Sequence, residues 1–102
     1  MAKKVVWSEQ ARNDVRRIFS YWNNRNKSNV YSKKLNKLIE EAVDTIAEHP
    51  TIGKLSDYEN VRFGITGAYL IVYKEFEDAI LIITIWDGRQ DPDKLEKRLD
   101  NS

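Results

Sequence analysis

The residues of this chain best suited to chemistry are Arg62, Tyr69, Tyr73, Trp86 and Arg89. A guanidinium is a planar fork that matches phosphate oxygens, and aromatic rings give bases a surface to stack on. Held on one face, these five could grip RNA. The competing reading is an arginine on a solvated strand, with tyrosines turning their hydroxyls to water. A second cluster is cationic. Lys33, Lys34 and Lys37 open a stretch that continues into Glu40, Glu41, Asp44 and Glu48, with Arg25 and Lys27 just before it and Arg16 and Arg17 further back. Lys37 and Glu41 are spaced to pair along a helix. The cluster makes either a solubilising surface or a tip that docks an acidic partner or a nucleic-acid backbone. The lone His49, just before Pro50, suits the end of a helix, where it can satisfy terminal carbonyls and the dipole.

Other chemistries lack their residues. There is no cysteine and a single histidine, so no thiolate and no histidine-based metal cluster is expected. No G-x-S-x-G and no phosphate-cradling glycine loop occurs, and no cofactor is expected. The net charge of +1 gives no global attraction to nucleic acid, so any basic site must be local. The apolar run at Val5, Val6 and Trp7 is too short for a signal peptide, and nothing approaches the ~20 apolar residues of a membrane span. One domain over residues 1–102 in the cytoplasm, without membrane contact, is the expectation.

The elements that must position these residues follow from periodicity. Val5 to Trp7 predict a short strand. Ser8 is placed as an N-cap for a helix carrying Ala11, Val15, Ile18, Phe19 and Trp22 at helical spacing. The apolar-free run from Asn23 to Asn29 predicts the loop that ends it. A second helix spans about 29–48, with Tyr31, Leu35, Leu38, Ile39, Ala42, Val43 and Ile46 as its stripe, stopped by Pro50 and Gly53. Strands are expected at 61–65, 69–76 and 79–86, and Asp91-Pro92 opens a short terminal helix through Leu99. The fold class is α+β: an N-terminal strand and an antiparallel helical hairpin packed on a small, mostly antiparallel, twisted sheet.

Pairing Phe76 with Ala79 across the Glu77-Asp78 turn sets a register. Lys74 then faces Leu81, Val72 faces Ile83, and Leu70 faces Ile85, an almost wholly apolar face that should pack on the helices. Tyr73 with Ile82, Ile71 with Thr84, and Tyr69 with Trp86 should line the opposite face, with Arg62 beside them and Arg89 just beyond the last strand. That face should be half open, as suits a binding surface.

Val5-Val6-Trp7-Ser8, the Asp14 helix with Tyr21-Trp22, and Glu48-His49-Pro50-Thr51-Ile52-Gly53 together resemble the RelE/ParE superfamily of toxins, known also as plasmid stabilisation proteins. So does the closing set Asn60-Val61-Arg62, Tyr69-Leu70-Ile71-Val72-Tyr73 and Ile85-Trp86-Asp87-Gly88-Arg89-Gln90-Asp91-Pro92. The likeness covers about residues 4 to 95. It implies the toxin half of a type II toxin–antitoxin pair that arrests growth, with a cognate antitoxin as partner in a hetero-oligomer. The target would be DNA gyrase, as for ParE-like members, or ribosome-bound mRNA, as for RelE-like ones. RelE-like cleavage would drive a ribose 2′-hydroxyl onto the adjacent phosphate without metal, with Arg62, Arg89 and Tyr73 as catalytic candidates. Tyr69, Trp86, Asp87, Lys33 and Lys34 would bind target or RNA. Two departures favour gyrase: the tail lacks the His-Tyr pair of one nuclease branch, and the charge is low for an RNA-binding toxin.

Overall fold

The computed structural model describes residues 2–100. In chain order it has β1 (Lys4–Trp7), α1 (Glu9–Asn26), α2 (Val30–Glu48), β2 (Lys54–Leu55), β3 (Val61–Thr66), β4 (Tyr69–Glu75), β5 (Ala79–Asp87) and α3 (Pro92–Asp100). The strands form one sheet in the order β1-β5-β4-β3-β2. β1 runs parallel to β5, and the other pairs are antiparallel. Among the described residues no helix is long and apolar enough to cross a membrane.

Ser8 caps α1 as expected, its Oγ accepting from the Ala11 N–H at 3.0 Å. The helix runs past Asn23, however, to Asn26. Asn23 is used in ending it rather than in a loop: its carbonyl accepts from Ser28 at 3.3 Å, and its side-chain oxygen accepts from Ser32 on α2. Lys27 closes the helix in a left-handed conformation, φ 53°. His49 ends α2 through its backbone N–H, donated to the Thr45 carbonyl at 2.9 Å, not through its ring. Asp91 and Pro92 open α3 as predicted, the Asp91 carboxylate accepting from the Asp93 N–H at 2.9 Å. Gly67 supplies the positive φ of the β3–β4 turn, 59°. β2 was not foreseen; two residues are too few to show alternation.

The expected face assignment is overturned. Near its turn the β4–β5 hairpin keeps the predicted register, with Tyr73 opposite Ile82 and Lys74 opposite Leu81. A bulge then inserts Ile83, so that Val72 faces Thr84, Ile71 faces Ile85, Leu70 faces Trp86 and Tyr69 faces Asp87. The helix pair covers Tyr69, Ile71, Tyr73, Ile80, Ile82 and Ile85, which pack with Ala11, Leu35, Ile39, Val43 and Ile46. The other face is the half-open one: Phe63, Leu70, Leu81 and Ile83 stay half-buried, and Val6 and Ile65 are exposed. α3 lays Leu95 and Leu99 across Val61, Val72 and Trp86.

Tyrosines can sit in the first core because each hydroxyl finds a partner. Tyr69 accepts from Trp22 Nε1 at 2.8 Å. Tyr73 donates to the Pro50 carbonyl at 2.7 Å and accepts from the Gly53 N–H at 3.0 Å. A Cβ on Gly53 would collide with that hydroxyl, so glycine allows the loop after α2 to close over the ring.

Candidate functional site

A cleft of about 410 Å³ opens where the C-terminal end of β5 meets α1 and α3. Its floor is Asp14, Ile85 and Trp86, and its rim carries Arg17, Arg89 and Arg98.

Asp14 organises it. The residue is 1% exposed, and both carboxylate oxygens are occupied. Oδ1 accepts from Gln10 Nε2 at 2.9 Å, from Arg98 at 3.2 Å and from Arg17. Oδ2 accepts from the Ile85 N–H at 3.2 Å and from the Thr84 hydroxyl. A buried carboxylate is tolerated only when paired and hydrogen-bonded, and Asp14 is both. It joins α1, β5 and α3 at one point. Arg98 also donates to Thr84 at 3.0 Å and stacks its guanidinium 4.8 Å from the centre of the Trp86 ring.

At the rim Arg89 closes on Asp87 in a fork, Nε to Oδ1 at 3.0 Å and Nη2 to Oδ2 at 2.9 Å. The Arg89 N–H adds a third bond to Oδ1 at 2.9 Å. The guanidinium bonds hold the Asp87 carboxyl below its usual range, against a smaller opposing effect of burial. The same pairing raises Arg89, which stays cationic. Arg89 is nonetheless exposed, so the clasp presents a charged edge to solvent.

The expected site residues therefore separate. Tyr69, Trp86, Asp87 and Arg89 line one cleft. Tyr69 and Trp86 do so from opposite sides of the sheet, because the bulge moved Trp86 out of register with Tyr69. Both are largely sealed, at 3% and 6% exposure, so neither is a free stacking platform. Arg62 does share a side with Tyr73, its register partner, but that side lies under the helices. Its guanidinium donates to the carbonyls of Gly53 at 2.8 Å and Thr51 at 3.3 Å. Tyr73 is fully buried, and burial pushes its hydroxyl above the ordinary tyrosine pKa. Both ends of this pair serve the loop after α2. Tyr73 lies four residues along β4 from Tyr69, roughly 13 Å. Lys33 and Lys34 are exposed on α2 and line no part of the cleft.

Sequence reasoning gave no role to Arg17, Tyr21 or Arg98 in this cleft, and it used Asp14 only as a family marker. A signal for Asp14 existed: it sits at helical spacing between Ala11 and Ile18, an acid on an apolar stripe, and so must be buried and paired. Arg98 had no such signal, since α3 meets α1 only through the tertiary fold.

A second, more apolar cleft of about 790 Å³ runs beside α3, lined by Tyr58, Val61, Lys74, Phe76, Leu81 and Ile83 among others. Among the described residues no group of three or more His, Asp or Glu could hold a metal ion.

The family model of the ParE toxin of type II toxin–antitoxin systems, parDE, matches residues 5–92. Among solved structures, a chain of the chromosomal ParDE toxin–antitoxin system from P. aeruginosa is similar. Its TM-score is 0.74 at 17% identity, over 84% of this chain and 96% of that one. A chain of the toxin–antitoxin complex RelBE2 from Mycobacterium tuberculosis aligns with a TM-score of 0.63 at 16% identity, over 85% of this chain and 99% of that one. At such identities the structural likeness speaks for the fold. No curated protein matches the sequence significantly.

Proposed function

Because the chain belongs to the ParE toxin family of type II toxin–antitoxin systems, we propose that it arrests growth by binding and poisoning DNA gyrase, and that a cognate antitoxin holds it inactive in a hetero-oligomer. The observation that carries the gyrase reading is the separation of the three residues an RNA-cleaving site would need. Arg62 and Tyr73 are tied into the loop after α2, while Arg89 stands at the far end of β4 and β5. Transfer of a proton from a ribose hydroxyl needs a base within hydrogen-bond reach. In the cleft Asp14 is saturated and Asp87 is held ionised by Arg89, well below the pKa that suits a general base at neutral pH. What remains is a charged rim on a rigid floor, a surface for recognition.

Arg89 and Asp87 then act as a target-facing clasp, with Trp86 and Tyr69 setting the floor beneath it. Purified toxin should inhibit gyrase supercoiling in vitro, and Arg89→Ala should lose at least roughly tenfold in potency, the expected cost of an exposed charged anchor. Its thermal midpoint should stay near wild type. Undiminished supercoiling at toxic levels, together with codon-phased mRNA cuts after induction, would replace gyrase with the ribosome as target.

A further inference from the structure

The tip of the α1–α2 hairpin lies outside this cleft and carries the most lopsided charge in the chain. Between residues 15 and 39 there are seven Lys and Arg and not one Asp or Glu. Arg25, Lys27, Lys33, Lys34 and Lys37 are all exposed. None of the five takes part in an ion pair among the described residues; the pairing expected between Lys37 and Glu41 does not form. Arg25 and Lys27 suit the C-terminal end of α1, but the placement of Lys33, Lys34 and Lys37 is unfavourable for α2. α2 has no acid in its first turn and no side-chain hydrogen bond from its N-cap, Asn29. Lysines near the positive end of the helix dipole repel it, so local stability does not explain them.

We infer that this hairpin tip is a contact surface for the phosphate backbone of duplex DNA. The cations are borne on two packed helices, and Lys33 and Lys37 stand about one turn apart, about 6 Å of rise. Such a rigid, one-signed surface suits the dense and regular charge of a duplex. Single strands are gripped by rings open to stacking bases. Here Trp22 meets Tyr21 edge-on at 5.1 Å and Tyr31 at 4.7 Å. Tyr21 and Tyr31 stay 53% and 39% exposed, so the rings alone do not separate duplex from single strand and the charge geometry carries the choice. An extended peptide needs a groove for its side chains, and neither of the two clefts is lined by any of the five cations. A toxin acting on a DNA-bound enzyme would gain a second anchor from this surface, but DNA binding by the tip does not require gyrase to be the target.

The test is fluorescence anisotropy of a short labelled DNA duplex of random sequence, titrated with the full chain across a salt series and without gyrase. The wild type should bind at low salt. Lys33→Ala with Lys34→Ala should weaken binding roughly tenfold or more. It should also make the slope of log affinity on log salt shallower by about 2, because each lysine that meets a phosphate accounts for about 0.9 of that slope. The same variant should melt at or above the wild-type temperature, since alanine favours the helix and relieves the dipole. A structural role would move the melting temperature the other way. Lys94→Ala with Lys97→Ala removes equal charge from α3 and should leave binding unchanged. Absence of binding, or equal weakening in the two variants, would overturn the inference. So would tighter binding of an equally long single-stranded RNA, or weakening seen only against purified antitoxin. Gyrase is absent from the assay, so its result and that of the supercoiling assay can fail separately.

Discussion

The two faces of the sheet are both apolar, yet they are covered to different degrees and held in different ways. Two long helices seal the first, where Tyr69 and Tyr73 spend their hydroxyls on α1 and on the loop after α2. One nine-residue helix, α3, covers only part of the second with two leucines. α3 is pinned at its edges instead: Arg98 reaches Asp14, and the Tyr58 hydroxyl donates to Asp100 at 2.9 Å. Broad burial under two helices, with the tyrosine hydroxyls satisfied inside it, fixes the first face. The second depends on a few polar contacts that reach across to α1, and the cleft lies at that junction.

Removing the junction should therefore cost most. Asp14→Ala strands Arg98, Thr84 and the Ile85 N–H in a buried setting, and should destabilise by about 3–5 kcal/mol in chemical denaturation. A loss below ~1 kcal/mol would mean that the three elements are joined by packing alone. On the helix-covered face, Tyr73→Phe leaves the Pro50 carbonyl and the Gly53 N–H without partners, at about 1–3 kcal/mol. It also carries a pH signature. Because the folded pKa of Tyr73 is raised, its contribution is complete below the ordinary tyrosine value of about 10 and is lost as pH rises through the folded value. The stability gap between wild type and Tyr73→Phe should thus narrow in alkali and stay flat below. A gap that widens with pH would contradict the burial of this hydroxyl. The smallest effect belongs to α3. Leu95→Ala should cost about 1–2 kcal/mol, capped by the undocking of a short terminal helix. Hydrogen exchange should then show α3 amides losing protection while those of β4 and β5 keep theirs. Global loss of protection would make the second face as integral as the first.

The difference between the faces also explains which expectations held. The order of elements, the helical hairpin and the caps at Ser8 and Asp91 were legible because they rest on local spacing and local hydrogen bonds. The residues at the end of β5 were legible as a group through their likeness to a family, and four of the expected residues do meet in one cleft. Arg62 and Tyr73 were drawn into the same site by strand parity and by the family likeness; they do share a face, yet the fold employs them to brace a loop.

Strand parity marks the residues that share a face, and the sequence carried that information up to the bulge. It could not tell which face the helix pair would take, because both faces carry apolar residues and α3 covers part of the second. Nor could it place Ile83, whose insertion moves Trp86 from beside Tyr69 to beneath Arg98. Those choices depend on which surfaces bury most when distant segments meet, and on whether a buried hydroxyl or carboxylate finds a partner there. Such partners, Pro50 for Tyr73 and Arg98 for Asp14, are far apart in the chain and come together only in the folded molecule.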